Sequence, residues 1–228
     1  MEFVGIDKLS LLDYEGYCSA VVFSRDCNFR CPFCHNGLTV INSKDSISFE
    51  EIISFLKTRV GLLDAVVFSG GEPTLVPNLK SYIKQVKDLG FKVKLDTNGS
   101  NPKVLKDLIE SKLLDYIAMD IKNSEDMYAL TAGCPRVDMS AIKESVNLIM
   151  SSNIGYEFRT TLVNEYHSVK SITEMAELVK GANKLFLQKF VNRDGVFHKY
   201  LTEVPKSTAE EYKKILNKFV KDVNLRGY

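Results

Sequence analysis

The sequence predicts an α/β fold in which strands and helices alternate along most of the chain. Short runs rich in β-branched and aromatic residues alternate with longer runs whose apolar residues recur at helical spacing. Polar motifs follow nearly every predicted strand, as they do at the functional edge of a parallel sheet. The six strand–helix units are fewer than a closed eight-stranded barrel needs, so an open partial barrel and a doubly wound sheet both fit.

The predicted strands are short, apolar and rich in Val, Phe, Ile and Tyr. They are Cys18–Ser24, Ala65–Ser69, Phe91–Thr97, Tyr116–Ile121, Tyr156–Leu162 and Lys184–Phe190. The predicted helices are amphipathic and lie between the strands or after the last one. They are Ser48–Arg59, Asn78–Leu89, Pro102–Lys112, Ser140–Ser152, Val169–Lys180 and Thr208–Val223. Two capping-box patterns, Ser48 with Glu51 and Ser207 with Glu210, mark helix starts.

Length and composition indicate one domain with a substantial core, because 45% of the 228 residues are hydrophobic. We predict a single domain over residues 1–228, with a core of about 17–190 and a C-terminal helix of about 207–223. The net charge is +1, so the sequence has no excess of basic residues that would indicate binding to nucleic acid or to an anionic membrane. No apolar run reaches membrane-spanning length and the start is unlike a secretory signal, so we expect a cytoplasmic protein with reduced thiols.

Three cysteines form the most informative motif of the chain. Cys27, Cys31 and Cys34 have C-x-x-x-C-x-x-C spacing, and no fourth cysteine follows closely. A cubane iron–sulfur cluster has four irons and normally takes four thiolates. Three protein ligands would leave one iron open to a substrate or cofactor, which is typical of a catalytic cluster rather than an electron carrier.

Other uses of these cysteines remain open at this stage. A Cys3His zinc site could use His35, although zinc modules usually split their ligands into two separated pairs. A ferredoxin-like electron carrier would recruit Cys18 or Cys134, and Cys134 precedes Pro135 as the last cysteine of bacterial ferredoxin motifs does. The odd number of cysteines disfavours a disulfide framework.

Further polar motifs lie at or near the carboxyl ends of later strands. They are Ser69-Gly70-Gly71-Glu72-Pro73, Asp96-Thr97-Asn98-Gly99, Asp120-Ile121-Lys122, Arg159-Thr160-Thr161 and Gln188-Lys189. Because these strand ends meet at one edge of a sheet, the motifs should converge on one site, with Asn98 and Gln188 as polar groups facing it.

Charged residues of three of these motifs are expected to lie close to one another. The carboxylates of Asp96 and Asp120 should lie close and need a cation, a proton or a lysine between them, and Lys122 points to the same side as Asp120. A buried Arg159 should be paired, either in the site or in a core salt bridge to Asp120 or Glu157. Two purely structural interpretations remain open. The charged residues could form an ion-pair network that only stabilises the fold, and the glycines could form an ordinary βα turn.

The motifs together resemble those of radical S-adenosylmethionine (radical SAM) enzymes, and most of all those of activating proteins for anaerobic ribonucleoside-triphosphate reductase. The likeness extends over roughly residues 5 to 190. It is carried by the cysteine motif, by the GGEP run and by these segments: Ser10-Leu11-Leu12-Asp13-Tyr14-Glu15-Gly16, Cys34-His35-Asn36, Leu95–Pro102, Ala118–Lys122 and Tyr156–Thr161. The first segment departs from the S-L-x-D-Y-P-G pattern of that group at Glu15, where Pro is usual.

The resemblance implies an open partial (βα)6 barrel with a [4Fe-4S] cluster on the three cysteines and S-adenosylmethionine (AdoMet) on the open iron. It implies that Phe33 contacts adenine, that the run Gly70-Gly71-Glu72 binds the methionine ammonium, and that Lys122 and Arg159 lie at the cofactor. Asp96 and Asp120, with backbone carbonyls near Thr97 and Ala118, would hold a monovalent cation, as in the related pyruvate formate-lyase activating enzymes.

The implied function is that of an anaerobic oxidoreductase, a glycyl-radical-enzyme activase. A 5′-deoxyadenosyl radical would remove a glycine Cα hydrogen from a partner glycyl radical enzyme, expected to be anaerobic ribonucleotide reductase. A flavodoxin- or ferredoxin-type protein would supply the electron. The alternatives are a radical SAM enzyme for a small molecule such as a deazapurine precursor, and a non-enzymatic electron carrier or zinc module. The last leaves Glu72, Asp96 and Asp120 without a role.

Overall fold

One sheet organises the fold, and its strands lie in the same order as in the sequence. The computed structural model describes residues 2–37 and 45–228, and within these ranges the sheet has eight strands. They are β1 Phe3–Ser10, β2 Ser19–Ser24, β3 Ala65–Gly70, β4 Lys92–Thr97, β5 Tyr116–Asp120, β6 Gly155–Leu162, β7 Lys184–Lys189 and β8 Asp222–Arg226. β1 is antiparallel to β2, and each later strand is parallel to the one before it.

Seven helices of the described ranges connect or follow the strands. They are α1 Phe49–Lys57, α2 Leu79–Asp88, α3 Pro102–Glu110, α4 Glu125–Ala132, α5 Met139–Ser151, α6 Val169–Leu178 and α7 Lys206–Leu216. The predicted capping box of α1 is confirmed, since Ser48 and Glu51 bond each other's backbone N–H. In residues 2–37 and 45–228, every helix is too short or too polar to cross a bilayer.

The predicted fold class is confirmed: β2 to β7 are the six predicted strands, and the barrel is open. β1 and β8 lie at opposite ends of the strand order, so the described sheet does not close. The prediction of six strands was nevertheless two short. β1 precedes the predicted core of 17–190, and it pairs with β2 as an antiparallel hairpin. Its apolar residues do not alternate regularly, because Gly5 and Asp7 interrupt them.

The predicted C-terminal helix of about 207–223 was wrong in extent. α7 ends at Leu216, and β8 pairs with β7 through Val223 and Leu185. A turn separates the two elements, in which the Lys221 N–H donates to the Ala182 carbonyl at 2.9 Å. The chain leaves the helix because Val223, which is 1% exposed, is buried better beside β7 than on a longer helix.

The start of α7 also differs from the prediction. The helix begins at Lys206 and its N-cap is Pro205, which has no side-chain donor or acceptor for a cap. The Ser207 and Glu210 capping box is therefore absent at this helix start. Proline fixes an extended approach to the helix and replaces the hydroxyl as the signal for its first turn.

The two faces of the sheet have different roles. Side chains such as Val22, Val66 and Leu95 pack against the helices in the main core. The opposite face, called the inner face below, carries a smaller apolar cluster of Val21, Ala65 and other residues at the amino ends of the strands. Since side chains alternate between faces, the polar residues at the carboxyl ends of these strands project from the inner face above that cluster.

Candidate active site

The carboxyl ends of the strands surround a cavity of about 440 Å³, called the main cavity below. All of the predicted site residues border it except Glu72. They are Cys27, Cys31, Phe33, Cys34, Gly70, Gly71, Asp96, Thr97, Asn98, Asp120, Lys122, Arg159 and Gln188. The convergence expected from the strand ends is therefore found in the structure, across six consecutive strands of one sheet.

The cysteine loop follows β2 and rests on the end of α4. The Arg30 N–H donates to the Ala132 carbonyl at 2.9 Å, and the Cys34 N–H donates to the Cys31 carbonyl at 3.0 Å. Burial raises the pKa of Cys27 to about 11 and that of Cys31 to about 12. Because thiolates are the ligands that iron takes, loading of a cluster here has to release protons from these thiols.

The two remaining cysteines do not share this site. Cys18 lies just before β2, at the amino end of the strand, and its N–H donates to Asp64 Oδ2 at 2.8 Å. Cys134 follows the left-handed cap of α4 at Gly133. Among the described residues, neither of them borders the main cavity. The donor set therefore fits a cubane with three protein thiolates better than a ferredoxin-like cluster with four.

His35 contacts the segment that follows β7. Its Nε2 lies 3.0 Å from the Val191 carbonyl oxygen, and its ring stacks on Phe190 with the two planes 5° apart. The contact joins the cysteine loop to the segment after β7, and it leaves Nδ1 as the nitrogen through which His35 would ligate a metal in this pose.

The glycine pair after β3 is required by close packing of two backbones. Gly70 has a φ of 102°, and a Cβ there would lie 2.6 Å from the backbone N and O of Ser24. A Cβ at Gly71 would collide with the carbonyl oxygens of Arg25 and Asp26. The family resemblance implies that these glycines belong to the run that binds the methionine ammonium. The structure shows that they first allow β3 to lie against the segment that leads into the cysteine loop.

We expect Gly71→Ala to destabilise the fold by about 1–3 kcal/mol, as overpacking does, and to displace the cysteine loop. Chemical denaturation measures the first effect, and iron content after anaerobic reconstitution measures the second. Gly5→Ala is the matched control, since a Cβ there meets nothing within 4 Å. Equal stability of the two variants would contradict the packing explanation.

Glu72 lies behind the rim of the main cavity. Its Oε1 accepts from the Thr97 hydroxyl at 2.7 Å and from the Thr74 hydroxyl at 2.6 Å, while its Oε2 accepts from the Asn98 N–H at 2.6 Å. The side chain is 1% exposed. These hydrogen bonds hold the end of β4 in place, and Glu72 does not face the main cavity. The resemblance implied instead that Glu72 contacts the methionine ammonium directly.

The carboxylate pair of Asp96 and Asp120 is bridged by Arg159. Arg159 Nε lies 2.9 Å from Asp120 Oδ1, and its Nη1 lies 3.3 Å from Asp96 Oδ2. Lys122 Nζ lies 2.9 Å from Asp120 Oδ2, and Lys94 Nζ lies 3.2 Å from Asp96 Oδ1. The predicted proximity of the two carboxylates is confirmed, and Arg159 pairs with both of them rather than with Glu157.

Electrostatics keep this group charged. Burial alone would raise the pKa of Asp120, but Arg159 and Lys122 beside it hold that pKa well below its usual range. Burial alone would also raise the pKa of Asp96, but Arg159 and Lys94 lower it below its usual value. Burial would lower the pKa of Lys122, but Asp120 raises it above its usual value. The inner face thus holds a fixed ion network at the floor of the cavity.

The expected monovalent cation does not fit this network. Every carboxylate oxygen of Asp96 and Asp120 has a cationic nitrogen within 3.3 Å, and among the described residues Asp96 Oδ1 has only this ion pair with Lys94 and accepts no hydrogen bond. Such a cation would have to displace Lys94, Lys122 or Arg159 to find a carboxylate ligand. Lys122 and Arg159 border the main cavity together with Phe33, so the cavity offers cationic groups and an aromatic ring to a ligand.

Several residues of the site were not singled out from the sequence. Ser69 donates to Asp96 Oδ2 at 3.0 Å, and Asp13, Arg193 and Phe197 border the main cavity. Asp13 lies in the opening segment that carries the family likeness, which was a usable signal. Lys94 gave none, since a lysine two residues after another lysine on a strand is typical of an exposed face.

An open α/β barrel with three free thiols and a polar cavity at its carboxyl edge defines a class of cluster-dependent enzymes. Residues 21–179, more than half of the chain, match the model of the Radical SAM superfamily. The chain belongs to this superfamily, whose enzymes use a [4Fe-4S] cluster and AdoMet.

Individual relatives agree with this assignment. A Methanocaldococcus jannaschii protein named as a glycyl-radical enzyme activating enzyme is 36% identical over 97% of this chain and 94% of its own length. The pyruvate formate-lyase-activating enzyme of Clostridium pasteurianum is 26% identical over 80% of this chain and 79% of its own. Streptococcus suis SuiB bound to S-adenosylmethionine shares the fold, with a TM-score of 0.67 and 14% identity over 90% of this chain and 49% of SuiB.

Proposed function

We propose that the chain is a radical SAM activase that generates a glycyl radical on a partner enzyme. The observation that carries the proposal is the match to a relative named for this activity, which extends over 97% of this chain. Such a match includes the opening segment Ser10–Gly16 as well as the cysteine motif. It therefore concerns the whole architecture rather than the cofactor site alone.

The proposed roles of the site residues are those that the family resemblance implies, and their positions around the main cavity support them. Cys27, Cys31 and Cys34 hold the cluster by their thiolates, while Lys122 and Arg159 orient the AdoMet carboxylate. When bound, cluster and AdoMet supply a 5′-deoxyadenosyl radical once an electron arrives. The chain's own contribution is to position the reacting atoms and to exclude water from them.

Further proposed contacts border the same cavity. Phe33 meets the adenine ring, the backbone of Gly70 and Gly71 accepts from the methionine ammonium, and Asn98 and Gln188 bind polar groups of the nucleoside. Asp96 and Thr97 support these contacts at the end of β4, and Asp120 holds Lys122 and Arg159 in place by the ion pairs described above.

The proposed substrate is a glycine residue of a protein. Glycine has no side chain, so its Cα hydrogen can come within contact distance of a radical carbon. We propose anaerobic ribonucleotide reductase as the partner, because the opening segment resembles that of its activating proteins. A flavodoxin- or ferredoxin-type protein is the proposed electron donor, since the three-thiol loop offers no second cluster for electron storage.

The proposal is tested by mixing the reconstituted, AdoMet-loaded protein with an anaerobic ribonucleotide reductase from the same genome and a reductant. We expect a glycyl-radical doublet in electron paramagnetic resonance spectra, with 5′-deoxyadenosine formed alongside. A reductase whose radical-site glycine is replaced by alanine is the control and should give no doublet. Formation of 5′-deoxyadenosine with a small molecule, and none with any glycyl radical enzyme of that genome, would contradict the proposal.

A further inference from the structure

Lys94 is a buried cation next to the main cavity. It lies on β4 two residues before Asp96 and is 4% exposed. Its ammonium is 3.2 Å from Asp96 Oδ1 and donates to the backbone carbonyl oxygen of Asp13. Because lysine is almost never fully buried without a partner, this ammonium is fixed in the site rather than placed there by chance.

The surroundings of Lys94 Nζ are those of a site for a small cation. A carboxylate oxygen of Asp96 and a carbonyl oxygen of Asp13 face it, and the centre of the Tyr116 ring lies 6.0 Å away. Oxygen atoms and an aromatic face are groups that attract a compact positive charge. Lys94 borders a smaller cavity of about 300 Å³, while its partners Asp13 and Asp96 border the main cavity.

The charges around the carboxylate pair leave an excess of one positive charge. Three cations and two carboxylates make up this group: Lys94, Lys122, Arg159, Asp96 and Asp120. Two further charges border the main cavity and cancel each other, on Asp13 and Arg193. An added Na⁺ or K⁺ beside Asp96 would lie close to the nitrogens of Lys94 and Arg159, and like charges repel strongly in buried surroundings.

We propose that the Lys94 ammonium is the site's own monovalent cation, which holds Asp96 in place for AdoMet and makes Na⁺ or K⁺ unnecessary. Lys94 contacts Asp96 rather than the cavity, so it is a positioning residue. The inference rests on the AdoMet site of the proposed function but not on the protein partner. AdoMet binding can be measured without any glycyl radical enzyme. Failure of the proposed role of Lys94 is therefore distinguishable from failure of the proposed activase function.

The first test compares AdoMet dissociation constants of the anaerobic, cluster-loaded protein in choline chloride, NaCl and KCl at equal ionic strength. We expect the wild-type values to agree within about twofold, the range expected from general screening at constant ionic strength. A dissociation constant at least tenfold higher in choline chloride would overturn the proposal. This series needs no substitution, so it holds even if a variant fails to fold.

The second test uses Lys94→Met. We expect its AdoMet affinity to fall by about 10–100-fold in choline chloride, as for other supporting partners of a binding site, and to recover with rising K⁺ or NH₄⁺. Lys92→Met is the matched control, because Lys92 is an exposed lysine two residues earlier on the same strand. Unchanged affinity of Lys94→Met in choline chloride, with AdoMet cleavage also unchanged, would overturn the proposal.

A third measurement locates the cation directly. Crystals of the wild type and of Lys94→Met grown in RbCl are compared by anomalous diffraction at the rubidium edge. We expect a rubidium peak beside Asp96 only in the variant. A peak at Asp96 in the wild type would show that the site takes a free cation in spite of Lys94.

Discussion

Cys31→Ala is expected to lose AdoMet cleavage down to the background rate, because removal of one of three thiolates leaves the cubane with too few protein ligands. Cys31 is the most buried of the three cysteines of the main cavity, so solvent has the least access to its position. The measurement is 5′-deoxyadenosine formed by the reconstituted, reduced protein. Iron content should fall from about four per chain, the number in a cubane.

Cys134→Ser and Cys18→Ser are the matched controls for this experiment. Both remove a free thiol that lies away from the main cavity, so both should keep iron and cleavage near wild-type values. Loss of the cluster in Cys134→Ser would contradict the three-ligand site and would favour a four-thiolate electron carrier. Cys27→Ala and Cys34→Ala should behave like Cys31→Ala.

Arg159→Met is expected to lower the free energy of unfolding by about 3–5 kcal/mol, the usual cost of removing one partner from a buried ion pair. The substitution leaves Asp96 and Asp120 facing each other without the guanidinium that bridges them. Urea denaturation of the cluster-free protein measures the effect. Lys84→Met is the control, because its exposed ion pair with Asp88 should contribute only about 0–1 kcal/mol.

The effect of Arg159→Met should depend on pH in a defined direction. The folded-state pKa of Asp120 lies below its ordinary value of 3.8, so its stabilising contribution is present above that pH and is lost as the pH falls. The difference between wild type and variant should therefore be largest near neutral pH and shrink in acid. A difference that grows below pH 4 would contradict the ion-network explanation.

The sequence predicted the strands that form the middle of the sheet better than those at its ends. β3 and β5 are apolar runs bounded by turn residues, and such a pattern predicts a buried strand rather than another element. β8 has only Val223 and Leu225 as apolar signals, and it follows an amphipathic helix whose apolar spacing continues in the sequence beyond Leu216. Edge strands bury one side only, so their sequences carry less of the pattern on which prediction depends.

The candidate site was predictable as a set of residues but less so as a set of contacts. Strand ends placed Asp96, Asp120 and Arg159 at one edge, and the structure joins them there. Sequence alone did not show that Glu72 faces Thr97 and Asn98, or that Lys94 is buried. Those facts depend on which neighbouring loop covers the inner face, and no local pattern reports on it.

The sequential strand order has a consequence for protein synthesis. Because each strand pairs with the one made just before it, the sheet can grow from its N-terminal end while the chain is still on the ribosome. Cys34 is made long before Arg159, and at about 5–20 residues per second the interval lasts on the order of ten seconds. During this time the nascent thiols have neither their ion network nor the segment after β7 over them. Delivery of iron and sulfide is therefore best timed after the finished chain has left the ribosome.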